Sequence, residues 1–353
     1  MLLVDPVSEV QQAIERQAVS CAHIGSPLYA SLLHGLAHDH RAGGLTRQLL
    51  QGVSDRPHHD ALPLRYLATA HHLALAGMAP VLARHYPSCE GTWGGNEISA
   101  DFLAVVAEHM DEFRAGVCRN VQTNEVGRAA ILAAGFAHIV RNGVGALRTL
   151  EVGASAGLLS QWPFFAYDAS GAQNSQDEAQ LTFGPAWFDP SMPTLPADFD
   201  VRERAASDVH PIDIGTTEGQ RAAQSFIWPD QDDRLRRLRA AMDVARLHPL
   251  TVQRADAGEW LTDRLRAPLP DGIATVVFHA IVWQYLPQAT RDAMRSALMA
   301  AGNDTTEAAP LHWLRMEPAT SEYADLRLTS WPSGRETLLA HVGYHGGSTL
   351  WLA

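Results

Sequence analysis

The sequence predicts an α/β protein, a mostly parallel sheet ending in an antiparallel hairpin and preceded by an all-helical N-terminal region. Three observations predict it. Residues 251–316 alternate short β-branched runs with stretches of helical periodicity, the pattern of strands joined by crossover helices. Residues 1–140 carry helical periodicity only. Between the two lies a short apolar run that enters a turn of small residues. The expected division is a helical region over 1–140 and an α/β domain over 141–353.

Five helices are expected in the first region. Val7–Ile24 places Val10, Ile14, Ala18 and Cys21 on one stripe. Ser26-Pro27 starts a second helix with Leu28, Leu32, Leu33 and Leu36 on one side, and Gly43-Gly44 ends it. Leu62–Gly77 is the third, closed by glycine. Ser99–Val117 is the fourth, with Phe102, Val105, Val106, His109, Met110 and Phe113 at i, i+3, i+4 spacing. Asn124–Val140 is the fifth.

In the second region Leu147–Val152 reads as a strand and Ala156–Phe165 as a helix. Residues 168–200, rich in Ser, Gly, Asp and Pro, read as loop with one short strand near Gln180–Phe183. Val201–Ala206 is a strand ending at Asp208, and Gln231–Leu247 an amphipathic helix. Strand Thr251–Arg254, helix Gly258–Leu265, strand Thr275–His279, helix Gln288–Ala301 and strand Leu311–Met316 follow. Asp325–Trp331 and Glu336–Gly343 flank Pro332-Ser333-Gly334, a hairpin signal.

With 46% hydrophobic and 19% charged residues, the 353-residue chain is able to bury a core. A formal charge of −12 disfavours general nucleic-acid binding. Three scattered cysteines argue against a disulfide framework. No signal peptide and no membrane span are expected, so the protein is read as cytoplasmic.

The most informative segment is Glu151-Val-Gly153-Ala154-Ser155-Ala-Gly157. Small residues after a strand let a ligand approach the backbone, and a following helix offers free N–H groups. The E-x-G-x-x-x-G spacing resembles motif I of class I methyltransferases, which implies a Rossmann-like domain holding S-adenosylmethionine. There the glycines pass under the methionine part, and the acid, here Glu151, contacts it. The same residues spell G-x-S-x-G, the nucleophile elbow of serine hydrolases, with Asp256 and then His341 or His345 in the matching chain order. Against that reading, helices rather than strands precede the turn, and no HGGG-type segment lies upstream of Ser155.

Other residues fall where such a cofactor would need them. Asp208, with Asp213 in reserve, stands at the end of the second strand, where a carboxylate accepts ribose hydroxyls, or it is a loop carboxylate or cap. Asp256-Ala257 follows the third strand, where an acid accepts from the adenine amine, or Asp256 caps the next helix. His279, Trp283 and Tyr285 follow the fourth strand and are either ligand contacts or core. Asn124 and Glu125 lie in a polar run before the α/β half and either start a helix or form a lid over the ligand. His38, His40, His58, His59, His71 and His72 lack metal-site spacing, so no metal is expected.

Val121-Gln-Thr-Asn-Glu-Val-Gly-Arg128, Glu151-x-Gly-Ala-Ser-Ala-Gly-Leu158, Trp228-Pro-Asp-Gln231 and Val282-Trp-Gln-Tyr-Leu286 together resemble a bacterial domain-of-unknown-function family. The likeness runs over most of the chain and implies a helical N-terminal region and a class I methyltransferase-like half. The chain departs from that family at Leu159, where many members have Asn, and at Ala280, where many have Ser. The expected function is S-adenosylmethionine binding, and a small-molecule methyltransferase with Glu125 or His279 as base. A serine hydrolase using Ser155 and a non-catalytic binding protein are the alternatives.

Overall fold

The computed structural model describes residues 8–169, 181–196 and 198–353. It divides into two compact units, one of Met1–Thr123 with Ile214–Arg236, the other of Asn124–Asp213 with Arg237–Ala353. The expected strand residue Gln180 lies outside the described residues.

The first unit is helical. Helices α1 (Glu9–His23), α2 (Pro27–Arg41), α3 (Leu45–Leu50), α4 (Leu62–Leu75), α5 (Pro80–Ala83), α6 (Ser99–Glu108) and α7 (Met110–Val117) build it. The side chain of Ser8 caps α1 and that of Ser26 caps α2, with Pro27 in the first turn of α2. Leu28, Leu32, Leu33, Tyr66, Phe102 and Phe113 fill its core, joined by Trp228 from the second segment. The single helix expected over Ser99–Val117 is instead two, broken at His109 (φ −117, ψ 38). The break lets Phe102 and Phe113 both meet the Tyr66 ring edge-on, at 5.0 and 5.5 Å.

The second unit opens with α8 (Arg128–Asn142), the helix expected to close the N-terminal region. It starts four residues later than expected, so Asn124 does not cap it; Gly127 holds that position without a side-chain bond. Ala129 through Ala137 are all buried, and small residues make this close packing possible. A Cβ on Gly135 would stand 2.9 Å from a methyl of Leu314 in the sheet.

The strands are β1 (Ala146–Val152), β2 (Ala166–Tyr167), β3 (Thr182–Phe183), β4 (Asp200–Asp208), β5 (Val252–Arg254), β6 (Ile273–Ala280), β7 (Leu311–Pro318), β8 (Ala324–Trp331), β9 (Arg335–Val342) and β10 (Leu350–Trp351). Eight of them form one sheet in the order β10-β9-β8-β7-β6-β1-β4-β5, and β2 pairs with β3 separately. Strands β5, β4, β1, β6 and β7 run parallel, and β8, β9 and β10 extend the sheet antiparallel. The mostly parallel sheet with an antiparallel C-terminal end is as expected. The remaining helices are α9 (Thr217–Ser225), which the sequence reading missed, α10 (Asp232–Leu247), α11 (Ala257–Arg264) and α12 (Gln288–Asn303).

One expectation fails next to the glycine turn. Ala156–Phe165 is not an α-helix; only Leu159–Phe164 is helical, as a 3-10 turn. Pro163 inside it supplies no N–H for an α ladder. Trp162 is held away from solvent by stacking on Phe136, with centroids 4.1 Å apart. Arg204 of β4 donates to the Ser160 carbonyl and to Gln161, and its guanidinium lies 4.6 Å over the Phe164 ring.

Candidate functional site

Parallel strands put their carboxyl ends on one edge, and side chains that follow those strands meet there. β1 sits centrally, with β4 on one side and β6 on the other. At its end the chain turns through Gly153 (φ 68), Ser155 (φ 53) and Gly157 (φ 71), three left-handed residues within five. Glycine adopts that region freely, but Ser155 is there against steric preference and needs partners to hold it. Its N–H donates to Asp208 Oδ2 at 2.8 Å, and its carbonyl accepts from the Ile212 N–H at 3.1 Å. The Ala154 N–H donates to the Ser207 carbonyl, and the Ala154 carbonyl accepts from Asn124 Nδ2 at 2.8 Å. The turn is therefore clamped between the end of β4 and the polar run that precedes α8.

Asn124 is 5% exposed, and its Oδ1 is buried with no hydrogen-bond partner in the structure. Glu125 is buried too; its Oε1 accepts from the Gly127 N–H at 3.2 Å. Arg128 donates to the carbonyls of Ala280 and Tyr344. Gly127 and Gly346 pack backbone on backbone, where a Cβ on either would lie 2.2 Å from a carbonyl oxygen of the other segment.

Glu151, beneath the turn, is 2% exposed and accepts from the Ser160 hydroxyl. Burial raises its pKa to about 8, against the opposing effect of the Ser160 bonds and with a smaller push from the charge of Asp208. Gly153 faces Val282, since a Cβ there would lie 2.5 Å from a Val282 methyl. Asp208 is 8% exposed and accepts from the Ser155 and His210 N–H groups, so it organises the turn. Asp213 is exposed.

Asp256 stands at the end of β5 and caps α11. Its Oδ1 accepts from the Gly258 and Glu259 N–H groups, and its Oδ2 from the Thr290 hydroxyl at 2.6 Å. Of the two roles left open for it, helix capping is the one with geometry behind it; Ala257 beside it is buried. Among the described residues no hydrogen bond joins Asp256 to a histidine. His341 bonds Asp325 instead, in β9, four strands from β1 or roughly 19 Å at ordinary strand spacing. Asp256 and His341 are therefore engaged with other partners and not with each other.

His279, at the end of β6, is 1% exposed with both ring nitrogens engaged. The Trp313 indole N–H donates to Nε2 at 3.0 Å, which makes Nε2 an acceptor and leaves Nδ1 to donate to Glu317 Oε1 at 2.6 Å. Glu317 Oε1 also receives the N–H groups of Val282 and Trp283. Ile281, just before them, is left-handed (φ 57), which a β-branched side chain rarely adopts. Trp283 stacks on His279 at 5.6 Å and faces a cavity, whereas Tyr285 is 39% exposed.

Sequence reasoning placed Asn124, Glu151, Gly153, Ser155, Asp208 and His279 near this edge, and it missed Glu317 and Trp313. The signal for Glu317 was present. It stands at the end of a parallel strand, as Asp208 does. Among the described residues no three His, Cys, Asp or Glu side chains gather as a metal site requires, and no helix is long and apolar enough to cross a membrane.

A family model described as an uncharacterized protein conserved in bacteria (DUF2332) matches residues 11–351. No curated protein and no solved structure matches the chain.

Proposed function

The chain belongs to the DUF2332 family, and we propose that its second unit binds S-adenosylmethionine at the Gly153–Gly157 turn as a small-molecule methyltransferase. The observation that carries the proposal is Asn124 Oδ1, a buried acceptor without a donor beside the turn. Leaving such an acceptor unpaired costs about 1–3 kcal/mol, which a ligand's ammonium group offsets by donating to it. The amino-acid end of the cofactor carries that group. Glu151 lies beneath the same turn and gains charge readily next to a cation.

Topology supports the reading. The parallel strands, counted along the chain, lie in the order 3-2-1-4-5. That is the order of a Rossmann-like sheet, whose ligands sit where it reverses, here between β1 and β6. The adenine end fits less well, because Asp256 is committed to capping α11 and to Thr290. When bound, the cofactor supplies an electrophilic methyl group on sulfur; the chain supplies the cradle and the exclusion of water.

Binding without catalysis is the second reading. His279 favours it, since both of its ring nitrogens already hold hydrogen bonds, to Glu317 and to Trp313. Thermal unfolding tests the shared premise. S-adenosylhomocysteine at millimolar concentration should raise Tm, NADH should not, and Asn124→Ala should cut the shift at least tenfold in apparent affinity. Absence of any shift refutes the binding site; a shift without methyl transfer to any amine, thiol or hydroxyl acceptor selects the second reading.

A further inference from the structure

A cavity of about 330 Å³ opens where β7 and β8 meet the segment after β6. Its volume is that of a site for a small organic molecule. Two indoles form a corner of it: Trp283 and Trp313, with centroids 5.4 Å apart and planes inclined by 57°. Indole faces hold flat, apolar bodies well.

The charges in the walls are largely matched. Arg327 bonds Asp325 and Glu336, and Arg315 bonds Glu336 and Thr329 while lying 4.2 Å from the Trp313 ring. Arg295 covers the Trp283 ring at 4.9 Å and pairs weakly with Asp292 on its own helix. Three guanidinium groups stand against three carboxylates in the lining, Glu317, Asp325 and Glu336, so the formal charge balances and the cavity suits a neutral guest.

Glu317 is the exception to this matching. Its Oε1 receives three donors, from His279, Val282 and Trp283. Its Oε2 is buried and receives none. The imbalance is fixed, because the three donors to Oε1 come from a backbone turn and a ring whose other nitrogen is already bonded to Trp313. An acceptor is thus held in place among the residues that line the cavity, with two aromatic walls beside it.

We infer that this cavity binds a small planar heterocycle, neutral and carrying a ring N–H, which donates to Glu317 Oε2 while its body packs on Trp283 and Trp313. The inference is independent of what the glycine turn holds. Flatness follows from the indoles, neutrality from the balance of guanidinium groups against carboxylates, and the N–H from the unpaired oxygen.

Benzimidazole and 1-methylbenzimidazole test it, since they share size and aromaticity and differ in the N–H. Each is titrated into the full chain and followed by ligand-observed NMR, with butylammonium as a non-planar cation. Benzimidazole should bind at least tenfold more tightly than its methyl derivative, and butylammonium should bind more weakly than either. In Glu317→Gln the amide replaces Oε2 with a donor but keeps an oxygen for the Val282 and Trp283 N–H groups, so the ratio between the two heterocycles should fall to near one. The inference is overturned if benzimidazole does not bind at 10 mM (about the weakest affinity worth the name of a site), if the two heterocycles bind wild-type protein equally, if butylammonium binds best, or if the tenfold ratio survives in Glu317→Gln. The comparison of ligands on wild-type protein stands even where the variant fails to fold.

Discussion

Replacing Glu151 by Gln should stabilise the protein, and by more at higher pH. In the folded chain burial lifts the Glu151 carboxyl from its ordinary 4.5 to about 8. An acid with a raised folded pKa binds more protons when folded than unfolded between those two values, so its contribution to stability falls as pH rises through that window and levels off above about 8. At pH 7 the penalty is about 3 kcal/mol; at pH 5 it is about 1 kcal/mol. Gln has the same shape, keeps an oxygen for the Ser160 hydroxyl and carries no charge to desolvate. It does bring one more N–H than the protonated acid, which subtracts about 1 kcal/mol if unpaired. The variant should therefore gain on wild type by about 2 kcal/mol between pH 5 and pH 7. Urea unfolding of both proteins at pH 5, 6, 7 and 8 measures this difference. Taking the difference removes the contribution of buried histidines such as His71, whose pKa is lowered to about 4 by burial and which acts in the opposite sense below pH 6.5. A stability difference that is the same at pH 5 and pH 8 would show that Glu151 titrates normally, and the account of a neutral acid beneath the turn would fall.

Two further outcomes follow from the same edge of the sheet. Asp256→Ala should cost about 1–2 kcal/mol through loss of the α11 cap and the Thr290 bond, while Asp256→Asn restores most of it; neither should change the apparent affinity for S-adenosylhomocysteine, and a tenfold loss in Asp256→Asn with stability intact would return this residue to the ligand. Gly153→Ala should destabilise by about 1–3 kcal/mol, from left-handed strain and from the 2.5 Å approach to Val282; unfolding curves that coincide with wild type would mean the turn relaxes without cost.

The second unit was legible where periodicity and strand ends did the work. β1, β4, β5, β6 and β7 each appear within a few residues of the expected place, β1 and β6 most plainly, because buried parallel strands are short apolar runs between turn signals. Boundaries between bodies were not legible. α8 has the same helical periodicity as its predecessors, and nothing in Ala129–Ala137 says whether the partner is a helix or a sheet. The 3-10 turn at Leu159–Phe164 was misread because its apolar residues satisfy a helical stripe, while Pro163 and the pull of Trp162 toward Phe136 decide otherwise. Asp256 shows the limit of spacing as a guide to function. An acid after a strand and before a helix suits a ligand and a cap equally, and only the positions of the Gly258 N–H and the Thr290 hydroxyl separate them. Glu317 and Trp313 escaped because their significance is pairwise, through His279, and pairs between strands are not visible in one sequence.

The first unit is made of two stretches of chain separated by 90 residues (124–213), and this affects how the protein is born. Its last pieces arrive late at the ribosome exit. Asp230 bonds the Ser26 hydroxyl and the Leu28 N–H at the start of α2, and Trp228 packs on Tyr29. Until residue 230 is synthesised, α2 lacks that anchor and the helical core lacks an indole. Nascent chains arrested before that point should therefore be protease-sensitive in the helices they already contain, although β1 has by then emerged. The helical unit, first in sequence, is completed only after much of the second unit's chain exists, and a fragment ending at residue 140 is an unfinished core rather than a domain.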